Sequence, residues 1–134
     1  MDKSFRLEVI TPEREFFNGE CESLVVTTAN GETGILANSI PLVASLADGG
    51  IRIKQNNKWM KAFTGTGFIR VAQSVVSVLV QSAEWPYEIK ESDAEKDVAR
   101  LQRQLKNRQS IKEYKMAKAE LARQLARLRV KKDI

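Results

Sequence analysis

The pattern of hydrophobic and polar positions changes near Trp85-Pro86. Before this point, apolar and polar residues alternate in short stretches that are separated by turn residues. Beyond it, the chain contains no glycine, and its apolar residues recur every three or four positions. Alternation is typical of strands, whereas a spacing of three and four is typical of helices. The sequence therefore predicts two differently built parts, residues 1–86 and 87–134, with a hinge region between them.

The first part is predicted to be a small all-β domain, a sandwich or a barrel, because turn signals recur about every 8 to 12 residues. The predicted strands lie at 5–9, 24–26, 51–54, 59–63, 67–71 and 75–80. Asn18-Gly19 is a turn signal before the second strand, and Asn56-Asn57 is a plausible hairpin tip, since asparagine tolerates positive φ. Gly65-Thr66-Gly67 is typical of a close-packed turn.

Residues 30–43 mix tight-turn residues with apolar ones, unlike a simple strand. This mixture predicts a structured loop. Glu32 lies between Gly31 and Gly34, where a tight backbone would hold its carboxylate outward. Two interpretations remain open for Glu32: a solvated turn residue, or a contact with a partner surface.

The second part is predicted to be an antiparallel pair of amphipathic helices, at about 92–106 and from 110 to about 130. Ser92 with Glu95 and Ser110 with Glu113 are capping-box signatures, and 107–110 supplies the turn. The apolar stripes are Ala94, Val98, Leu101 and Leu105 on the first helix, and Tyr114, Ala117, Leu121, Leu125 and Leu128 on the second. Because these stripes are narrow and rich in alanine, we expect a folded and an extended hairpin to be close in free energy.

Positive charge is concentrated in the second part. From Glu88 onward there are 14 Lys/Arg and 8 Asp/Glu, against 8 and 9 before it. Most of the cations lie on the second helix and its end. This basic helix fits a solvated surface, an acidic protein partner, or a nucleic acid or anionic lipid surface. Nucleic acid is disfavoured because no aromatic residues are interleaved with the cations, so we expect no nucleic-acid partner.

Composition argues against most enzyme classes. The chain has no histidine, which removes the commonest general base and zinc ligand, and its single Cys21 has acidic neighbours that disfavour a thiolate. No glycine-rich phosphate-binding motif is present, and the N-terminus lacks the features of a signal peptide. We therefore expect a cytosolic, non-catalytic protein without a metal or cofactor.

Several motifs together resemble the epsilon subunit of bacterial-type F-type ATP synthases, over essentially the whole chain. The strongest is Gly31-Glu32-Thr33-Gly34-Ile35-Leu36 followed by Ile40-Pro41-Leu42-Val43, which is similar to the family's Gly-Glu-x-Gly-Ile-x-x-x-His-x-Pro-Leu segment. Supporting motifs are Val9-Ile10-Thr11-Pro12-Glu13, Phe63-Thr64-Gly65-Thr66-Gly67-Phe68, Ala119-Glu120-Leu121-Ala122 and Leu128-Arg129-Val130.

The resemblance implies a ten-stranded N-terminal β-sandwich followed by a two-helix hairpin, in a rotor subunit of the central stalk. The sandwich would lie against the gamma subunit and the ring of c subunits, at the cytoplasmic face of the bacterial membrane, and would meet the membrane only through the complex. Its implied c-ring contacts are Gly31, Glu32, Thr33, Ser39 and Ile40.

The family's helices fold on the sandwich or extend along gamma toward the alpha and beta subunits, where they block ATP hydrolysis. The resemblance implies that the basic helix meets an acidic segment of beta, and the implied contacts are Lys115, Lys118, Arg123, Arg127 and Arg129.

The chain departs from the family pattern in two places. Asn38-Ser39 replaces the usual Gly-His, so the resemblance does not extend to the geometry of that loop. Some members bind ATP through an Ile/Leu-Asp-x-x-Arg-Ala motif, and here the matching positions are Ile89, Lys90, Asp93 and Ala94. Because the acid and the arginine are both replaced by residues of opposite charge, we expect ATP to bind poorly or not at all.

Overall fold

The computed structural model describes residues 3–107 and 110–132 of the chain. Within these ranges ten strands precede the helices. The strands are β1 (Phe5–Ile10), β2 (Glu15–Cys21), β3 (Ser23–Thr28), β4 (Gly31–Leu36), β5 (Leu42–Leu46), β6 (Gly49–Gln55), β7 (Lys58–Thr64), β8 (Gly67–Ala72), β9 (Val75–Val80) and β10 (Ala83–Glu84). A 3₁₀ turn, Pro86–Glu88, leads into α1 (Glu91–Lys106) and α2 (Ile111–Lys132).

The strands form one long sheet that folds over a shared core, as a sandwich that is nearly a closed barrel. Its order is β10-β7-β6-β3-β5-β8-β9-β1-β2, with β4 attached to β3. All pairs are antiparallel except β1 with β9. Alternate side chains such as Leu7, Val9, Ile51 and Ile53 point inward and are fully buried. The predicted fold class, a ten-stranded sandwich followed by two helices, is confirmed.

Two local predictions in the sandwich are wrong. Asn18-Gly19 is no turn, because both residues lie within β2 and pair with Glu8 and Leu7. Residues 30–43 do not form one loop: they include all of β4 and the start of β5. Most of β4 is exposed on both faces, with only Ile35 buried, so this strand lacks the alternation that reveals a half-buried strand.

Two predicted turns are present. Asn56 and Asn57 both have positive φ, 53° and 62°, and join β6 to β7 as a tight hairpin. Gly65-Thr66-Gly67 connects β7 to β8. A side chain at Gly67 would place its Cβ 2.0 Å from the carbonyl oxygen of Leu79, so close packing against β9 explains this glycine.

The helices differ from the prediction mainly at their ends. Lys90, not Ser92, is the N-cap of α1, and its side chain makes no capping hydrogen bond, so the first predicted capping box is wrong. The Ser110 hydroxyl does accept the Glu113 N–H at 3.1 Å, as expected at the start of α2. Of the predicted turn 107–110, residues 108 and 109 lie outside the described ranges. The end of α2 lies beside the start of α1, since Lys132 is 3.5 Å from Glu91 and from Glu95, so the helices are antiparallel.

The apolar stripe predicted for α2 is only partly correct. Leu128 is buried, but Leu125 is 42% exposed and Tyr114 is 44% exposed. Gln124 is buried instead. The reason is that α2 packs on two surfaces, α1 on one side and the outer face of β6 and β7 on the other, so its buried residues do not follow one stripe.

Candidate functional site

The tip of the β3–β4 hairpin carries the first group of predicted contact residues. Gly31 begins β4 with a φ of 116°, and Gly31, Glu32 and Thr33 are all exposed. Arg52, two strands away on β6, donates a hydrogen bond to Glu32 Oε2 at 3.0 Å. The positive φ favours glycine at this position. The hairpin thus presents an oriented, exposed carboxylate.

The β4–β5 connection carries the second group, Ser39 and Ile40. Ser39 Oγ accepts the Leu36 N–H at 2.9 Å and donates to the Leu36 carbonyl at 2.6 Å, and Asn38 has a φ of 65°. Ile40 is 81% exposed. Three other apolar residues of this segment are also exposed, and we call the four together the apolar end: Leu36, Ile40, Leu42 and Val43.

The structure does not bring the two groups together. Glu32 lies near the start of β4, whereas Ser39 and Ile40 follow its end. At about 3.3 Å per residue, Glu32 and Leu36 are already about 13 Å apart along the strand. The five predicted residues therefore form two separate surfaces, one polar and one mainly apolar.

The segment between sandwich and hairpin is anchored by its side chains. Trp85 stacks on Phe16 with ring centroids 4.4 Å apart. Arg14 donates to Glu88 Oε1 at 2.8 Å, and the Trp85 N–H donates to the same oxygen at 2.9 Å. These hydrogen bonds, Arg14's foremost, lower the pKa of Glu88. The chain is therefore held to the sandwich up to Glu88.

The altered nucleotide motif follows directly. Ile89 and Ala94 are buried, and both pack as core residues at the base of the hairpin. Lys90 and Asp93, the two positions of opposite charge, are exposed. The apolar half of the motif thus has a packing role in this structure, while the polar half faces solvent.

A small apolar contact docks α2 on the outer face of β6 and β7. Phe63 and Ile89 form a buried cluster with Ala126 and Val130. A Cβ built on Gly50 would lie 3.6 Å from Val130 Cγ2, so the helix passes close to the β6 backbone. Only the C-terminal half of α2 contributes to this cluster.

The same half of α2 is held by polar contacts. Arg127 binds Glu84 with two hydrogen bonds, from Nε at 2.9 Å and from Nη2 at 3.1 Å. Its remaining nitrogen, Nη1, donates to Gln124 Oε1 at 2.6 Å. Lys131 Nζ donates to the Pro86 carbonyl at 2.8 Å. Because the Arg127–Glu84 pair is bidentate and partly buried, it is stronger than an ordinary surface ion pair.

A second acid of the sandwich faces α2. Asp48 Oδ1 lies 3.6 Å from Arg123 Nε, too far for a hydrogen bond, and has no hydrogen-bond partner among residues 3–107 and 110–132. Burial raises the pKa of the Asp48 carboxyl, although the positive charge of Arg123 opposes the shift. Arg123 is also bound by Glu120, at 3.1 Å.

The five predicted inhibitory residues thus fall into two classes. Arg123 and Arg127 are engaged with acids in the docked helix. Lys115, Lys118 and Arg129 are exposed. The N-terminal half of α2 is generally exposed, including Ile111 at 77% and Met116 at 63%.

Sequence reasoning missed a further surface, on the strands β1, β9 and β8. The strand registers place Ile10, Leu79 and Phe68 in one row across β1, β9 and β8. With Pro12, these residues line a shallow groove of about 460 Å³. Outward-facing apolar residues at matched positions of three neighbouring strands are the sequence signal, but the register needed to align them comes only from the fold.

The remaining chemistry of the chain is limited. Cys21 is buried, and burial, followed by the charges of Glu20 and Glu22, raises the pKa of its thiol to about 12. In the described part of the chain, no three His, Cys, Asp or Glu residues are grouped to hold a metal ion. Neither described helix has the length and apolar character needed to cross a membrane.

Comparisons with known proteins agree with this architecture. Residues 4–86 match the family described as ATP synthase, Delta/Epsilon chain, beta-sandwich domain. The ATP synthase epsilon chain of Caldanaerobacter subterraneus subsp. tengcongensis is 41% identical over 131 residues, which cover 97% of this chain and 95% of the relative. That of Ruminiclostridium cellulolyticum is 38% identical over 125 residues, 93% of each chain.

Solved structures share the fold. A chain of the mitochondrial ATP synthase of Euglena gracilis, from its OSCP/F1/c-ring structure, superposes with a TM-score of 0.83 at 18% identity, covering 94% of this chain and 80% of that one. A chain of the central stalk and c-ring structure of the Tetrahymena thermophila mitochondrial enzyme gives a TM-score of 0.63 at 13% identity, covering 94% and 95%. The family model matches the whole sandwich, and the bacterial relatives are similar over nearly their full length. The chain therefore belongs to the ATP synthase epsilon-chain family.

Proposed function

We propose that this protein is a rotor subunit of the central stalk that joins the gamma subunit to the ring of c subunits, and that its hairpin inhibits ATP hydrolysis by contacting the alpha and beta subunits. It has no catalytic site of its own and lies at the cytoplasmic face of the bacterial membrane, attached through the complex. The observation that carries this proposal is the limited coverage of the sandwich: in the described part of the chain, α2 packs mainly on β6, β7 and the linker, with polar contacts to Glu84 and Asp48, which leaves other surfaces of the sandwich for partners.

The free surfaces suit two partners of different chemistry. The exposed Glu32 carboxylate at the β3–β4 tip suits the polar loops of the c ring. The apolar end and the Ile10–Leu79–Phe68 row suit a larger, mainly apolar interface with gamma, because exposed apolar patches of this kind mark protein interfaces. Ile40 belongs to the apolar end and Ser39 directly precedes it, so the predicted c-ring contact is less well supported for these two residues than for Glu32.

The exposed cations of α2 support an inhibitory contact with an acidic segment of beta. Lys115, Lys118 and Arg129 are available in the docked form. Arg127, bound to Glu84 and only 19% exposed, becomes available when the helix leaves the sandwich, whereas Arg123 is already 41% exposed. Since the linker is anchored up to Glu88, the hinge for this movement lies beyond Glu88, a few residues after the predicted one at Trp85-Pro86.

A chain truncated after Lys90 tests whether the sandwich alone provides docking and the hairpin alone provides inhibition. The sandwich core contains no residue beyond Ala83, and Trp85, which packs against it, is retained, so we expect the truncated chain to fold. It should assemble with gamma and the c ring and support coupled ATP synthesis, while ATP hydrolysis rises. Failure to assemble would contradict the assignment of docking to the sandwich.

Charge reversal in the full chain tests the inhibitory contact. Lys115→Glu with Lys118→Glu should relieve inhibition without undocking α2, because both side chains are exposed in the docked form. The matched control is Lys96→Glu with Lys106→Glu, on exposed positions of α1. Equal relief by both pairs would argue for a general charge effect. Salt-dependent binding of the wild type to duplex DNA without any protein partner would favour a nucleic-acid function instead.

Calorimetric titration with ATP tests the altered motif. Lys90 and Asp93 supply a cation and an anion where the motif has an acid and an arginine, so we expect no measurable binding. A dissociation constant in the micromolar range would contradict this expectation. The double variant Lys90→Asp with Asp93→Arg restores the acid and the arginine of the motif, so it should bind ATP more tightly than the wild type.

A further inference from the structure

We propose that Glu84 is an internal substitute for an acidic partner of α2: it holds Arg127 while the hairpin is docked, and an external acid can bind Arg127 only after this pair has opened. The inference rests on the proposed inhibitory function, since it names how that arm is held and what it must release. Its first test is made on the free chain and so does not depend on inhibition.

Each of the three side-chain nitrogens of Arg127 donates a hydrogen bond in the docked form. Nε and Nη2 bind the Glu84 carboxylate, and Nη1 binds Gln124. Gln124 is itself oriented by a hydrogen bond from its amide to Glu120 at 3.1 Å. Glu84 fills the Nε–Nη2 edge of the guanidinium, and only 19% of the Arg127 side chain is exposed. An external carboxylate therefore cannot bind that edge of Arg127 while the helix is docked.

The position of Glu84 gives this pair control over the docked helix. Glu84 lies on β10 opposite Phe63 of β7, and Phe63 belongs to the apolar cluster beneath α2. The ion pair thus lies at the border of the only apolar cluster through which the described part of α2 meets the sandwich. Because Ala126 and Val130 are the only residues of α2 in that cluster, the apolar contact is small, and the charged pair contributes a large share of the docking free energy.

The balance between the docked and the undocked hairpin depends on which acid binds Arg127. A ligand shifts a conformational equilibrium only by its difference in affinity for the two states. An acidic segment that binds Arg127 favours the undocked form, and Glu84 favours the docked form. The strength of the Glu84 pair consequently sets how much partner affinity is needed to extend the hairpin.

Thiol labelling of the full-length chain measures this pair directly. Ala126→Cys places a thiol in the buried contact, so its labelling rate reports undocking. Cys21, buried in the sandwich core, is an internal reference that is labelled only when the sandwich itself opens. In this background, Glu84→Gln should speed labelling at position 126 by about tenfold to a hundredfold, the range expected for a lost charged hydrogen-bond pair.

Glu32→Gln is the matched control, because Glu32 also accepts a 3.0 Å hydrogen bond from an arginine, but this arginine, Arg52, belongs to β6 and not to the hairpin. It should leave the labelling rate unchanged. Equal rates for Glu84→Gln and Glu32→Gln would overturn the proposal.

Arg127→Gln closes a double-mutant cycle with Glu84→Gln. The double variant should open no more than either single one, whereas additive effects would overturn the pairing. If Glu84→Gln also speeds labelling of Cys21, the sandwich has been damaged, and the test passes to Arg127→Gln alone, where an unchanged rate at position 126 overturns the proposal.

Reconstitution separates the two levels of the proposal. In the assembled enzyme, Glu84→Gln should strengthen inhibition of ATP hydrolysis. If Glu84→Gln speeds labelling at position 126 in the free chain but leaves ATP hydrolysis by the enzyme unchanged, the role of the Glu84–Arg127 pair in docking stands, and the inhibitory function of the hairpin is contradicted.

Discussion

The sandwich and the docked helix are held by different forces. The sandwich core consists of apolar side chains from nearly every strand, such as Leu7, Leu24 and Ile53, together with continuous strand pairing. The helix is held by a small apolar cluster bordered by ion pairs and by a lysine bound to a backbone carbonyl. Apolar burial is not weakened by screening salt or by competing acids, whereas charged contacts are weakened by both.

This difference suits a fixed body and a movable arm. A contact made of a bidentate arginine pair can be exchanged for a similar pair on another protein at little net cost in free energy. The interior of a sandwich has no equivalent exchange partner. Four experiments test how far the two regions behave separately.

The largest effect is expected in the sandwich core. Leu7 is fully buried, so Leu7→Ala should lower the free energy of unfolding by about 4 kcal/mol, through lost burial and a cavity. Leu125→Ala, at an exposed position of α2, should cost less than about 1 kcal/mol. Denaturant unfolding followed by circular dichroism measures both. Similar costs would mean that the two regions are not stabilised differently.

A backbone contact in the sandwich should be nearly as sensitive. The Cβ of Gly67→Ala would meet the Leu79 carbonyl oxygen at 2.0 Å, so we expect a loss of about 3 kcal/mol from forced displacement of β9. At Gly34 an added Cβ meets nothing within 4 Å, which makes Gly34→Ala the matched control and nearly neutral. The same denaturant titration compares them. A neutral Gly67→Ala would show that the β8–β9 pair can relax.

Added salt should weaken the docking of α2 but not the sandwich core, and we expect an effect of intermediate size. Raising sodium chloride from 0.05 M to 1 M shortens the Debye length to about 3 Å and weakens the charged contacts of α2. Labelling of the Ala126→Cys variant should therefore speed up several-fold, while Cys21 in the core remains unlabelled. A rate at position 126 that is independent of salt would assign docking to the apolar cluster alone.

The smallest effect is expected at Asp48. Burial raises the pKa of its carboxyl in the folded protein, with Arg123 opposing and Glu120 adding to the shift, so the charged form is disfavoured there. The folded state then binds a proton more readily than the unfolded state, and the cost of the charge is present at neutral pH and fades as pH falls toward the ordinary value near 3.8.

Asp48→Asn should consequently leave docking unchanged or slightly stronger at pH 7, in contrast to Glu84→Gln. Its difference from the wild type should vanish below about pH 4. Labelling at position 126 across this pH range, with a reagent whose own rate is corrected for pH, measures the difference. A strong loss of docking at pH 7 would show that attraction to Arg123 outweighs burial.

The sequence indicated most of the sandwich because six of its strands keep one face in the core, and alternation marks such strands directly. β4 was not predicted because most of its residues are exposed on both faces. β5 was not predicted because Leu46 is its only buried residue. In α2, Gln124 could not be recognised as buried, because its amide is satisfied by Glu120 and Arg127, which only the helix geometry brings within reach.

The sequence by itself determined the two-part architecture, the helical hairpin and the family, because these depend on periodicity, local turn chemistry and motif order along the chain. Only the tertiary structure decided that the predicted c-ring residues form two surfaces, and that Arg127 is bound by Glu84 while Lys115 and Lys118 are exposed. These features join residues far apart in sequence, and the contact between them depends on how α2 lies on β6 and β7, which no local pattern encodes.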